Sequence, residues 1–204
     1  MTITGELLKK VRSYFDRTPL YLSDDYESMF YELCFSICSP QTTFLANSRV
    51  NNELRRLNFY NKDIENLEEV CKPLRFYRSK AKMLLEAKIW SLINLRYPKA
   101  LFCVGADLEC MRWVRSRLMK EVRGLGPKTA TQFIRNITLN KNLVIIDRHI
   151  LNFLDIKRSV SSLKDYEFVE DLASKCAYNL GMYPAELDLL VFSNYSGTDI
   201  DEVR

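Results

Sequence analysis

The stretch Glu121–Phe133, EVRGLGPKTATQF, decides the fold of this 204-residue chain. Gly124 and Gly126 flank Leu125 between two helical patterns, and glycine takes positive φ at no steric cost. Pro127 suits a first helical position, because its fixed φ matches the helix and its missing N–H would have found no partner there. The spacing predicts a tight hairpin between a helix ending near Arg123 and one starting at Pro127. Amides around Gly124, Gly126 and Lys128 would then face a phosphate with no side chain in the way at the glycines. A plain turn between helices is the alternative.

Lys128 falls in the first turn of the second helix, where exposed N–H groups already carry partial positive charge. An ammonium is disfavoured there, more so if desolvated, and a neutral lysine amine is a nucleophile. An ordinary surface lysine is the plainer reading. Downstream, LVIIDRHILNFL places Asp147 at the end of an apolar run and the start of another helix. Its carboxylate suits an N-cap. The same cap would hold it ionised and fixed, able to orient the lysine and stabilise a developing cation.

Helical periodicity dominates the rest of the chain. Leu7, Leu8, Val11, Tyr14 and Phe15 share one helix face, as do Met29, Phe30, Leu33 and Ile37 after the capping candidates Ser23 and Asp24. PQTTFLANSRVNNELRRL gives a third helix with Pro40 near its start, and KDIENLEEVC a short fourth. RSKAKMLLEAKIWSLINL is built of strong helix formers. Helices are also expected from about Asp107 to Arg123, from Pro127 to Thr138 and from near Asp147. Near the end come SLKDYEFVEDLASKCAYNLG, stopped by Gly181, and PAELDLLVFSNY, started by Pro184. LVII at 143–146 is too short to seed a sheet, so the chain reads as all-α.

Thirty Lys and Arg against 26 Asp and Glu leave a net charge of +4, which permits an anionic partner without demanding one. The clustering says more. In RWVRSRLMKEVR, Arg112, Arg115, Arg117, Lys120 and Arg123 face the single Glu121; they suit a phosphate backbone or simply a solvated helix face. Six scattered cysteines lack the C-x-x-C spacing of a zinc or iron–sulfur site and read as reduced thiols. Neither a signal-peptide core nor a run of the roughly 18 apolar residues needed to span a bilayer is present. A cytoplasmic, nucleoid-associated protein without a membrane partner is the expectation.

GLGPKTATQFIRNI followed by LVIIDRHIL resembles the helix-hairpin-helix superfamily of DNA glycosylases, whose bifunctional members carry a lysine at the position of Lys128. FSICSPQTTFLAN, LRFYRSKAKMLLEAK and NLGMYPAELDLLVF are similar to one branch, the second type of 8-oxoguanine DNA glycosylase/AP lyase of archaea and some bacteria. The resemblance covers about residues 30 to 195. It implies a single two-lobed all-α domain over 1–204, with the hairpin at about 112–138, a DNA groove and base pocket between lobes, and no iron–sulfur cluster. Where that branch has a tryptophan this chain has Phe192, and its lysine-bearing tail is replaced by the acidic SGTDIDEVR.

The chemistry implied is flipping of a damaged base from double-stranded DNA, attack by Lys128 at C1′, a Schiff base and β-elimination, with Asp147 offsetting oxocarbenium charge. No metal or other cofactor is required, and a monomer suffices. Gln41, in the loop SPQTT, would fill the gap left by the flipped nucleotide, or is merely polar near a helix start. Phe192, Phe76 and Met83 could stack on the base, and Asp188 or Glu186 could accept from it; each otherwise belongs to core or helix surface. Arg112, Arg115, Lys120, Arg123 and Arg148 would hold phosphates. His149 could shuttle protons or serve structure alone. The rival readings are a non-catalytic DNA clamp and the same chemistry on another lesion.

Overall fold

A computed structural model of the chain describes residues 5–102, 107–197 and Ile200. All regular structure among them is helical: α1 (Gly5–Phe15), a 3-10 turn (Leu20–Leu22), α2 (Tyr26–Cys38), α3 (Phe44–Arg56), α4 (Leu67–Cys71), α5 (Tyr77–Asn94), α6 (Pro98–Leu101), α7 (Leu108–Glu121), α8 (Pro127–Thr138), α9 (Arg148–Phe153), α10 (Leu163–Asn179) and α11 (Pro184–Ser196). The chain divides into two compact units, residues 19–133 and residues 1–18 together with 134–204.

In the 19–133 unit, α2 is buried along its whole length from Met29 to Cys38, because α3 and α5 both pack on it. The Tyr31 hydroxyl donates to the Leu54 carbonyl at 3.3 Å and accepts the Tyr60 amide at 3.2 Å, and Phe30 lies 5.6 Å from Phe59 between ring centroids. Asn47 and Asn51 on α3 donate to the carbonyls of Phe35 and Tyr31, both at 2.9 Å. These bonds satisfy polar groups that burial would otherwise penalise.

Two expected helix starts move. The α2 cap is Asp25, whose carboxylate accepts the Ser28 amide at 2.9 Å, rather than Ser23 or Asp24. The third helix begins at Phe44, capped by Thr43, rather than near Pro40. Pro40 instead sits in a turn closed by the Thr42 amide donating to the Ser39 carbonyl at 3.2 Å. The short α6 and the 3-10 turn carried no periodic signal. By contrast α8 starts and stops where Pro127 and Thr138 placed it.

The discontinuous unit is built on α11, which contacts α1, α9 and α10. Val11, Tyr14 and Phe15 of α1 join Val144, Ile150, Val169, Ala173, Leu187, Leu190 and Val191 in one buried cluster. LVII at 143–146 forms neither helix nor strand. Its amides are satisfied by side chains: Ile146 N–H donates to the Tyr166 hydroxyl at 3.0 Å, and Ile145 N–H to Asp188 Oδ2 at 3.3 Å.

Candidate active site

The hairpin of the 19–133 unit runs from the end of α7 into the start of α8. Gly124 adopts φ +96°, and a Cβ there would lie 2.7 Å from Met83 Sδ and 3.4 Å from Ile37 Cγ2. Positive φ and close packing both call for glycine at this position. Gly126 differs from the sequence expectation: its φ is not positive, and nothing lies within 4 Å of a built Cβ. Nor is its amide open, since it donates to Thr129 Oγ1 at 2.9 Å while the hydroxyl returns a bond to the Gly126 carbonyl at 3.3 Å. Gly126 therefore acts as a helix cap for α8 rather than as a phosphate donor. Thr129 was missed; the hydroxyl three residues after Gly126 was its signal.

The amides of Gly124, Lys128 and Thr129 find no acceptor among the described residues. Unpaired amides at a helix start are of the kind that bind anions; among these residues Lys128, second of α8, is exposed, Gly124 half-buried and Thr129 buried. The hairpin is braced from inside by Arg115, which is fully buried and donates to Thr131 Oγ1 at 3.2 Å, while Thr131 donates to the Pro127 carbonyl at 2.8 Å. The expectation that Arg115 holds phosphate is thus corrected: its guanidinium ties α7 to α8 and does not reach solvent.

The other cations of the cluster are placed variously. Lys120 is exposed and Arg112 half-buried. Arg123 pairs with Glu86 at 3.1 Å in an exposed bridge, and Arg117 with Glu121 at 2.8 Å. Exposed pairs of this kind exchange partners at little cost, so Arg123 can still meet a phosphate. Arg148 is exposed at the first position of α9.

Asp147 belongs to the discontinuous unit and is the N-cap of α9. Its Oδ1 accepts the amides of His149 at 2.8 Å and Ile150 at 3.1 Å. Oδ2 takes no hydrogen bond from any described residue. One oxygen thus fixes the carboxylate while the other is left unbonded among the described residues. The bonds from Ile145 to Asp188 and from Ile146 to Tyr166 hold the strand of chain leading into it.

Asp188 is corrected as a base-contacting residue: it is 3% exposed and ion-paired to the buried Arg135. Two buried charges so paired are a structural tie between α8 and α11, with no lone pair turned outward on Oδ2. Glu186 likewise serves its own helix, accepting the Tyr183 amide at 2.9 Å and facing Arg12 Nε at 3.5 Å. Phe192 is half-buried, with the His149 ring edge-on at 6.0 Å; Tyr195 stands 5.9 Å from the same imidazole. His149 is therefore an aromatic packing partner of α11.

Met83 packs beneath Gly124, which makes it a floor for the hairpin. Phe76 is 57% exposed at the start of α5 and Gln41 is exposed in the Ser39–Thr42 turn; both carry positive φ, +58° and +54°. Among the described residues no cluster of His, Cys, Asp or Glu could hold a metal ion, and no helix is long and apolar enough to cross a membrane. Cys103 and most of the tail SGTDIDEVR lie outside the described residues.

Residues 12–182 match the family model described as 8-oxoguanine DNA glycosylase. The 8-oxoguanine DNA glycosylase/AP lyase of Aquifex aeolicus is 32% identical over 193 residues, which cover 88% of this chain and 81% of that protein. The crystal structure of Methanocaldococcus jannaschii 8-oxoguanine DNA glycosylase gives a TM-score of 0.78 at 25% identity, covering 95% of this chain and 90% of that one. A second structure from that organism, in complex with 15mer DNA containing 8-oxoguanine, gives 0.77 at 24%, covering 97% and 93%. The matched span takes in the hairpin, its lysine and the Asp147 segment, and the chain belongs to the 8-oxoguanine DNA glycosylase family of helix-hairpin-helix proteins.

Proposed function

We propose that this chain is a bifunctional base-excision repair enzyme, which flips 8-oxoguanine out of duplex DNA, excises it through Lys128 and nicks the strand. The carrying observation is the exposed Lys128 amine in the first turn of α8, directly after the hairpin, in a chain whose relatives are named 8-oxoguanine DNA glycosylase/AP lyases. The hairpin amides and the exposed Lys120, Arg123 and Arg148, with Arg112, hold the phosphates of the strand. Gln41 occupies the place of the flipped nucleotide, and Phe192 and Phe76 offer aromatic faces to bases.

Chemistry then follows from electron demand. The lone pair of the Lys128 amine, as free base, forms a bond to C1′ as the C1′–N9 bond breaks, the base leaving with the electron pair of that broken bond and taking up a proton. Positive charge that builds at C1′ and O4′ is stabilised by the ionised Asp147. The amine loses a proton, the sugar ring opens, and a Schiff base forms between Nζ and C1′. Removal of a C2′ proton then pushes that bond's electron pair towards the iminium, and the enamine so formed expels the 3′ phosphate with its C3′–O pair, leaving a conjugated iminium. Water later releases the lysine. The chain would work wherever the chromosome is.

Borohydride trapping tests this reading. Wild-type protein with duplex DNA carrying 8-oxoguanine should give a covalent adduct, and Lys128→Gln should give none above background, a loss of at least about 1,000-fold if covalent catalysis is removed. No adduct with wild type, or an undiminished one with Lys128→Gln, would remove it and leave a DNA clamp. The acidic tail and Phe192 are reason to run the same assay across a panel of single-lesion duplexes, since efficient action on a different base alone would reassign the substrate while keeping the chemistry.

A further inference from the structure

Lys80, on the buried face of α5, is 4% exposed. Its Nζ donates to the carbonyls of Cys38 at 2.7 Å and Pro40 at 2.8 Å and to Thr42 Oγ1 at 2.7 Å. An ammonium has three donors, and all three are spent on the end of α2 and the turn that follows it. No carboxylate is among its hydrogen-bond partners, so the charge is balanced by carbonyl and hydroxyl dipoles alone. Burial lowers the pKa of this amine from its ordinary value, the neighbouring Cys38 and Cys71 opposing that shift. A buried cation without an anion is an expensive way to hold a surface loop, which asks what the loop is for.

The two acceptors Pro40 and Thr42 flank Gln41 on either side. Gln41 sits at the third position of the Ser39–Thr42 turn with φ +54°. That slot favours glycine or asparagine; a glutamine there is strained, and strain of this kind persists only where the surroundings over-determine it. Its side chain is exposed and makes no hydrogen bond to any described residue. The Lys80 side chain thus clamps the backbone on both sides of Gln41.

We propose that Lys80 is a positioning residue: its ammonium locks the Ser39–Thr42 turn so that the Gln41 side chain stands ready to enter duplex DNA at the flipped-out nucleotide. This rests on the glycosylase reading given above. Lys80 touches neither base nor sugar, and it acts by removing the freedom of Gln41 to point elsewhere. The contribution therefore belongs to duplex opening, and a substrate with nothing to flip does not require it.

The test compares two substrates. Lys80→Met should slow single-turnover excision of 8-oxoguanine from duplex DNA by ~10-fold or more, the scale of loss expected from misplacing a group by a fraction of an ångström to an ångström. Borohydride trapping on a single-stranded oligonucleotide bearing a preformed abasic site should stay within about 2-fold of wild type, as no base has to leave a stack. In a Gln41→Ala background, Lys80→Met should add less than about 2-fold, because the two residues act as one unit. Should Lys80→Met fail to fold, Thr42→Val removes one acceptor while keeping shape, and should cost about 3-fold on duplex only. Duplex excision within 2-fold of wild type for the variant that folds, equal losses on both substrates, or losses that multiply with Gln41→Ala overturn the assignment. If wild type itself traps on neither substrate, the glycosylase reading falls first and this role with it.

Discussion

At the scale of single residues, the two glycines of the hairpin look alike in sequence and differ in what they do. Gly124 is left-handed and sits against Met83 and Ile37, whereas Gly126 has ordinary φ and open space at its Cβ. Forcing alanine to φ +96° costs about 1–2 kcal/mol before any repacking of Met83. Urea unfolding should therefore show Gly124→Ala destabilised by at least about 1 kcal/mol and Gly126→Ala by less than about 0.5 kcal/mol. Equal losses at both sites would mean the turn relaxes in solution. The same φ logic was invisible in GLG, because either glycine could have supplied the turn; only the position of Met83 on α5 separates them. The helix-start positions of Lys128 and Asp147 were legible because Pro127 and the cap before Arg148 mark those starts without any packing partner. Arg115 and Asp188 were misread for the opposite reason. A charged residue reads as surface, and both are buried by partners, Thr131 and Arg135, that no local pattern announces.

Elements show why α5 was recognised as a helix but not oriented. Its buried face carries Lys80, Ala81, Leu84, Ala87, Lys88 and Ser91, while Leu85, Ile89, Leu92 and Ile93 are exposed. Two lysines inside and four aliphatics outside erase the amphipathic signal on which such a reading depends. Lys88 Nζ closes another loop, bonding the Lys62 carbonyl at 2.9 Å and Asp63 at 2.7 Å. Between α8 and α11, the buried Arg135–Asp188 pair predicts an asymmetric result. Asp188→Ala leaves a buried guanidinium and an unmet Ile145 amide and should cost about 3–5 kcal/mol in urea unfolding, with a smaller loss for Asp188→Asn. A loss below about 1 kcal/mol for the alanine variant would show that water reaches Arg135. At the meeting of α2, α4 and α5, burial pushes the Cys38 thiol up to about 12 and Cys71 to about 11, against 9.0 for a free thiol. Both folded values lie above the unfolded one, so their contribution is complete below pH 9 and is lost as pH rises towards 12. Wild-type stability should fall over that window more steeply than that of a Cys38→Ala, Cys71→Ala variant; parallel curves would mean these thiols ionise freely.

For the molecule as a whole, the amphipathic pattern of the first helix was plain in the sequence, yet nothing near it said where its apolar face goes. That face belongs with residues 134–204, a partner more than a hundred residues away, and pairing at such separation leaves no local trace. Two units were likewise not divisible by composition, since no linker or charge break marks Thr18–Pro19 or Phe133–Ile134, and the second division falls inside α8. The consequence is testable by truncation. Val11, Tyr14 and Phe15 are 0%, 3% and 5% exposed in the discontinuous unit's core, and burial of each contributes about 1.5–3 kcal/mol. Loss of all three approaches the 5–15 kcal/mol that stabilises a typical domain. Removing Arg12 also leaves the buried Glu186 carboxylate without its facing cation, a further penalty on the cap of α11. A chain starting at Pro19 should thus lose hydrogen-exchange protection first in α9, α10 and α11, and a synthetic peptide of residues 1–18 added in trans should restore part of it. Because Asp147 caps α9 in that same unit, the truncated chain should also lose 8-oxoguanine excision from duplex DNA, and recover it only when the peptide does. Protection of α11 unchanged by the truncation would mean that the first helix merely rests on a core already complete without it.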